Sequence, residues 1–411
     1  MKASPVLLAL LAVVSCAPAP GQPAAPPEDS APTGDVQSPT RAEQSPTADS
    51  PSPSPSPSPT PSPSPSPSPS RVATINVSGD LLWHNSLWDS AALDAKATGA
   101  AKFDFAPQLA ALEPYVSEAD LGICHSEVPF APPDGPYKNY PMFAAPQEIA
   151  PALAATGWDL CTTASNHTMD AGWDGLVRTI EVHRAAGILT AGTYATEEAA
   201  RTPVIHTTDE GVRIAVISQT YGLNGLPKSK GRDWSVELLD ADLAIAQARA
   251  AKAAGADIVA VHMHAGDEYS SDVNAQQRSF AEAVTASPDV DLVFGQHAHV
   301  VQPVDKVNGT WVIYGLGNLI AASGPAKPRT YDGVMVEITF TEQSDGGFKA
   351  TAAEFAPTFI SSMAGGRPAR VHLISDALAA GTPLEAEMRA SAERTRRTVL
   401  SLGVEGLTER A

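Results

Sequence analysis

Cysteine is almost missing: residues 16, 124 and 161 are the 3 in a chain of 411. That is too few for a disulfide-built scaffold, and no cluster exists from which to make a thiolate metal centre. Basic residues are outnumbered, 27 Lys and Arg against 46 Asp and Glu, for a formal net charge of -19. A chain this acidic is poorly suited to hold nucleic acid or another polyanion by charge alone, so handling a polyanion would require bound cations. The apolar run near the start is too short to span a bilayer. Neither a Gly-x-Ser-x-Gly elbow nor a Gly-x-Gly-x-x-Gly loop occurs, which removes the serine-hydrolase and dinucleotide-binding signatures.

What is present divides sharply. Residues 1–16 open with Met-Lys, continue through an apolar segment from Val6 to Val14 and end in Ser15-Cys16. This describes a secretory signal, and Val13-Val-Ser-Cys16 resembles the lipobox of bacterial lipoproteins, with Cys16 the expected lipidation site. Residues 17–70 are dominated by Pro, Ser, Ala and Thr, and 51–70 is nearly pure Pro-Ser. Such a chain cannot bury apolar area to offset the entropy of ordering, so a disordered, stiff polyproline II stalk is expected, on the order of 100 Å or more in reach. A passive or glycosylated spacer would have the same composition. The stalk holds five acids (Glu28, Asp29, Asp35, Glu43, Asp49) against Arg41, so most of the negative surplus lies in residues 71–411.

From residue 71 onward strand and helix signals alternate, which predicts an α/β fold with one large core. A β-rich run, Val72 to Val77, ends in Ser78-Gly79-Asp80, with His84 close behind. Asp120-Leu-Gly-Ile-Cys-His-Ser-Glu127 has the same design. Trp158-Asp-Leu-Cys-Thr-Thr-Ala-Ser-Asn166-His167 has it again, and leads into a helix with Asp170 and Asp174 at its start and a buried stripe of Leu176, Val177 and Ile180. Asn166-His167 would suit that helix as a cap as well as it would suit a site. A further helix runs from the N-cap Asp240 to Gly255. The strand Asp257-Ile-Val-Ala-Val-His-Met-His264 follows, in which His262 and His264 share a face and either could serve a site. After a helix over about 272–287 comes Asp291-Leu-Val-Phe-Gly-Gln-His-Ala-His299. Its His-x-His spacing puts both rings on one side of an extended segment. A strand is expected over Gly333–Phe340 and an amphipathic helix around Pro383–Leu402. The two cysteines at 124 and 161 fall in predicted strands beside the candidate site, which favours buried thiols over a bridge.

Collected by strand end, the candidates are Asp80, His84, Glu127, Asn166, His167, His262, His264, His297 and His299. Carboxylate, amide and imidazole ligands together suit a divalent metal of the Mn²⁺, Fe or Zn²⁺ kind better than Ca²⁺. One or two such ions would polarise a phosphoryl group and lower the pKa of water. A histidine outside the ligand set would then act as acid.

These motifs resemble the bacterial capsule synthesis protein family, the CapA-type or poly-γ-glutamate synthesis proteins, similar in fold to calcineurin-like metallophosphoesterases. The resemblance spans about residues 74–340 and rests on Gly79-Asp80 with His84; Glu127 with Pro129; Tyr140-Pro-Met-Phe143; Ser165-Asn-His-Thr-Met-Asp170; Thr220-Tyr-Gly-Leu-Asn-Gly225; His264-Ala-Gly-Asp-Glu268; Gly295-Gln-His-Ala-His299; and Tyr314-Gly-Leu-Gly-Asn318. It implies a four-layer α/β/β/α sandwich over residues 71–345, followed by an extension, 346–411, packing on that domain. It also implies Asp80 and Glu127 as carboxylate ligands, Glu127 the bridging candidate, with Asn166, His264, His297 and His299 completing the centre and His167 as the acid or transition-state stabiliser. Three positions depart from the family pattern: Leu82 stands where Asp-x-His would place histidine, His125-Ser-Glu127 replaces Asn-Leu-Glu, and His264-Ala-Gly266 replaces His-Trp-Gly. The expected partner is a cell-envelope or capsule polymer, with membrane contact through a lipid anchor only, an extracytoplasmic location and no nucleic acid.

Overall fold

A computed structural model of the chain describes residues 70–411 apart from 325, 364 and 365. The signal-like segment with Cys16, and the Pro/Ser stalk apart from Ser70, lie outside the described residues. Among the described residues the strands are β1 (Val72–Leu81), β2 (Leu121–Ser126), β3 (Leu160–Thr162), β4 (Leu189–Ala191), β5 (Ile205–Thr207), β6 (Arg213–Thr220), β7 (Ile258–His264), β8 (Leu292–Gln296), β9 (Val304–Val307), β10 (Thr310–Ile313), β11 (Asn318–Ile320), β12 (Asp332–Glu342), β13 (Phe348–Ser361), β14 (Arg370–Leu373) and β15 (Leu407–Glu409). They make two sheets. One runs β14-β13-β12-β1-β2-β3-β4, with β11 beside β1 and β15 beside β13; the other runs β5-β6-β7-β8-β10-β9. Neighbours from β1 to β4 are parallel, as are β6, β7, β8 and β10.

Period-two alternation sorts each strand's side chains into two cores. Ile75 and Val77 of β1, Leu121 and Ile123 of β2, Ile258 and Ala260 of β7 and Leu292 and Phe294 of β8 form one cluster between the sheets. The alternate positions face outward. Val259, Val261 and Val293 meet the helices Ala241–Ala253 and Ala275–Thr285 through Ala244, Ala248, Phe280 and Val284. On the other sheet, Leu87, Ile149 and Leu153 from the helices Asn85–Thr98 and Ile149–Thr156 cover Cys124, Cys161 and Leu319. The layering is therefore helix, sheet, sheet, helix, as the family resemblance implies.

Asp240 caps its helix as expected, its side chain accepting from Leu243 N at 3.0 Å. The next helix starts later than expected, at Ala275, because Asn274 and Gln277 form a reciprocal capping box. Residues 346–411 are woven into the sheet: β13 pairs antiparallel with β12 from Asp332 to Glu342 and carries β14 and β15 on its flank. The helix Glu385–Val399 is tied down by Arg394, whose guanidinium donates to both oxygens of Asp332 at 2.8 Å.

The expectation of two buried thiols does not hold. Cys124 and Cys161 are register partners on the parallel pair β2 and β3, and they are joined as a disulfide. It lies on the helix-covered face of that sheet, away from the space between the sheets.

Candidate metal centre

Each candidate side chain sits at or just past the C-terminal end of a parallel strand. Asp80 closes the inner part of β1, where Gly79 is needed: any Cβ there would run into the backbone of Gly317 and Leu319. That close approach lets Asp80 N donate to Gly317 O at 2.9 Å and brings β11 alongside. Glu127 follows β2, Asn166 and His167 follow β3, His262 and His264 end β7, and His297 and His299 follow β8.

His297 and His299 do converge on one place, but the predicted reason is wrong. Both are past the end of β8 with left-handed backbones, φ 100° and 58°. These are sparsely populated conformations that histidine adopts only when its surroundings hold it there. Asn224 (φ 51°) and Tyr269 (φ 66°) are also left-handed. Asn166 Nδ2 donates to Asn224 at 3.3 Å, and the Tyr269 ring lies 6.0 Å from that of His299.

Asp80, Glu127 and His299 meet directly. His299 Nδ1 lies 3.0 Å from Asp80 Oδ2 and 3.0 Å from Asn318 Oδ1, and its Nε2 is 3.7 Å from Glu127 Oε1. Glu127, His297 and His299 each offer a ligand atom, all within 4.8 Å of one another. Both oxygens of Glu127 and Nδ1 of His297 are buried without a hydrogen-bond partner. Burial pushes the Glu127 carboxyl up to about 7, although His299 pulls it down. Burial also opposes the charge on His299, yet Glu127 and the hydrogen bond to Asp80 outweigh it and raise the ring to about 9. A buried carboxylate with no hydrogen bond to either oxygen, facing imidazoles, is chemically suited to a divalent cation, so the residues fit the ion that the sequence implies.

His167 stands at the edge of this group with its Nδ1 2.7 Å from Asp170 Oδ2, which also accepts from Phe143 N at 2.8 Å. Burial lowers the affinity of the ring for a proton, but Asp170 and Glu127 reverse the shift, and the net displacement is upward. The helix thought to begin at Asp170 begins at Gly172, with Ala171 as N-cap and no side-chain capping bond. Asn166 and His167 therefore do not cap it, and Asp170 orients a histidine instead.

The remaining candidates separate. His84 lies outside the clusters of ligand atoms. Its Nδ1 accepts from Ala322 N at 3.1 Å, its ring packs edge-on against Phe143, and burial lowers it to about 4. His264 Nε2 reaches Asn166 Oδ1 at 2.9 Å, and His262 Nδ1 reaches Ser218 Oγ at 2.8 Å. Sequence reading passed over four residues that shape the centre: His125, Asp170, Asn224 and Asn318. Asn318 had a signal, since it ends the Gly-Leu-Gly-Asn motif, and His125 had one in its spacing of two from Glu127.

A sequence model described as "Bacterial capsule synthesis protein PGA_cap" matches residues 74–323. The chain is similar to the PGA biosynthesis protein CapA of Bacillus subtilis (strain 168), 29% identical over 205 residues, covering 50% of this chain and 53% of that protein. It is also similar to a probable polyglutamine synthesis accessory protein of Mycobacterium tuberculosis, 31% identical over 180 residues, covering 41% and 47%. The matched region is thus about half the length of these relatives. Among solved structures, the calcineurin-like phosphoesterase YfkN from Bacillus subtilis matches 81% of this chain and 99% of its own, with a TM-score of 0.47 and 17% identity.

Proposed function

This chain belongs to the bacterial capsule synthesis protein PGA_cap family, and on that premise we propose that it is a metal-dependent phosphoesterase-type hydrolase working on a capsule or cell-envelope polymer outside the cell. The observation that carries the reading is Glu127: a fully buried carboxylate, neither oxygen hydrogen-bonded, faced by His297 and His299. Those three residues would hold the ion, of the Mn²⁺, Fe or Zn²⁺ class. When bound, it would polarise a phosphoryl oxygen and lower the pKa of water.

The chain's own residues do the rest. Asp80 and Asn318 fix the His299 ring through Nδ1, so that Nε2 faces Glu127. Asp170 holds His167 by Nδ1 and raises its affinity for a proton. His167 Nε2 is then the nitrogen that delivers a proton to a leaving oxygen, a task for which an elevated imidazole pKa is suited. The half-exposed rings of Tyr221 and Tyr269, beside His297 and His299, provide a rim on which a chain-like substrate can lie.

The location outside the cell is supported by the signal-like start with Cys16 and by the Cys124–Cys161 disulfide, which fits an oxidising compartment. A second reading, a non-catalytic binder or organiser of an anionic polymer through its cation, is favoured by one feature. Leu82, buried and apolar, occupies the position where the Asp-x-His pattern would supply a further ligand.

The purified full-length chain should carry a stoichiometric transition metal and hydrolyse bis-p-nitrophenyl phosphate or p-nitrophenyl phosphate with Mn²⁺ present. His299→Ala should lose most of that metal and reduce turnover at least 100-fold, the scale of losing an essential catalytic group. Hydrolysis at the same background rate in both proteins would reject the enzyme. If poly-γ-glutamate is nevertheless retained in a metal-dependent way, the binder stands.

A further inference from the structure

Aromatic side chains are mostly covered in this protein, and the exceptions gather in one place. Among the described residues the exposed aromatics are Tyr140, Tyr221 and Tyr269, at 72%, 39% and 38%. Tyr140 follows β2 of one sheet, while Tyr221 and Tyr269 follow β6 and β7 of the other. Each borders a different histidine of the centre. The Tyr221 ring lies 4.5 Å from that of His297, and the Tyr269 ring 6.0 Å from that of His299. Tyr140 packs on Phe143 at 6.3 Å, and Phe143 stands edge-on to His167 at 4.9 Å. One exposed aromatic ring is ordinary, but a set of them confined to the surroundings of a single centre marks a binding surface.

The charge beside these rings limits what they can hold. Asp267 and Glu268 are exposed on the segment after β7. Partial burial raises the phenol pKa of Tyr221 and of Tyr269, and the Glu268 carboxylate raises both further. Lys327 Nζ lies 3.3 Å from the centre of the Tyr269 ring, so one face of that ring is taken and a positive charge stands near His299. A polymer with a carboxylate on every residue would bring its charges against Asp267 and Glu268, which costs affinity. A neutral chain bearing a phosphate meets a cation for its charge and carboxylates that accept from hydroxyl groups. With a face of Tyr269 filled, and Tyr221 leaning on His297 at 41°, the rings offer single faces. Single faces suit the C–H face of a pyranose, whereas a nucleobase gains most between two rings.

Resting on the phosphoesterase reading of the Glu127 centre, we propose that its substrate is a phosphate ester of a neutral glycan, whose sugar rings stack on Tyr140 and Tyr221. Glu268 accepts hydrogen bonds from the sugar hydroxyls, and Lys327 pairs with the phosphate. Tyr140, on the His167 side, and Tyr221, on the His297 side, flank the place where the phosphate would sit, so both sides of the ester are read as rings rather than as charges. Tyr269 acts by holding Lys327 in place.

The test uses the full-length chain loaded with Mn²⁺ and phosphonate analogues, in which CH₂ replaces the ester oxygen so that no turnover interferes, with affinities read by calorimetry. The analogue of glucose 1-phosphate should bind at least about tenfold tighter than that of glycerol 3-phosphate, the scale of one or two aromatic contacts. Tyr140→Ala and Tyr221→Ala should each cut that preference about threefold with the Mn²⁺ content unchanged, and Tyr140→Trp should keep it. Lys327→Ala should weaken both analogues alike. Equal affinity for the two, or binding of neither, by a chain that holds Mn²⁺ would overturn the sugar assignment and leave the metal centre standing. Tighter binding of the adenosine 5′-phosphate analogue, or of poly-γ-glutamate, than of the glucose analogue would overturn it as well. A chain that takes up no Mn²⁺ removes the phosphoesterase reading itself, and this inference with it.

Discussion

Asp170 shows how one residue's neighbours set its role. Two residues upstream of a helix it reads as a helix-start acid, yet its carboxylate is spent on His167 and on Phe143 N. If His167 donates the proton, Asp170→Asn should leave bound metal unchanged and lower turnover. The alkaline limb of the rate profile should move to lower pH, because losing the carboxylate lowers the pKa of the imidazole. A limb that stays in place would remove Asp170 from the mechanism. His183 makes a separate case. It is fully buried against Phe130 with neither nitrogen bonded, and burial alone lowers it to about 3. The unfolded chain takes up its proton near pH 6.5 and the folded one does not, so this ring removes stability as pH falls from about 6.5 towards 3, at about 1.4 kcal/mol per pH unit. His183→Leu should therefore be more stable at pH 7 by about 1–3 kcal/mol, for want of two unmade hydrogen bonds. From pH 7 to 5 it should lose about 2 kcal/mol less than the parent in urea melts. Equal losses would mean that the ring finds a partner in solution.

At the scale of elements, the C-terminal strands matter more than their place in the sequence suggests. The segment looked like an extension laid on a finished domain, but β13 runs beside β12 for the whole of that strand. Phe355, Ala353 and Phe348 fill the inter-sheet core, while Ala356, Val371 and Leu373 complete the outer one. Each large apolar side chain contributes about 1.5–3 kcal/mol on burial, against a total stability of about 5–15 kcal/mol. A chain ended after residue 345 should therefore show no cooperative thermal transition by circular dichroism. A cooperative transition in that truncated protein would contradict the integral role of β13. The segments after β2 and β8 show another economy: each leaves the C-terminal end of a strand that is parallel to its neighbours in its own sheet, and between them they bring Glu127, His297 and His299 to one centre.

For the molecule as a whole, the residue types were legible before the structure. Carboxylate, amide and imidazole groups at strand ends could be read from apolar runs broken by Gly79, Ser126 and Gly295, and Asp240 could be read as a cap. Other features could not. The left-handed backbones of His297 and His299 arise from how the loop after β8 meets β1 and β11. The Cys124–Cys161 bond depends on β2 and β3 being register partners. The meeting of His125 with His262 and His264 requires two sheets to stack with those ends aligned. The sequence alone determined which side chains each strand presents and to which face, since alternation with a period of two is a local property of extended backbone. Which strand edges pair, and therefore which faces look at one another across the core, was decided only by the tertiary structure, because that choice depends on contacts between residues more than a hundred positions apart, as in Asp80 with His299.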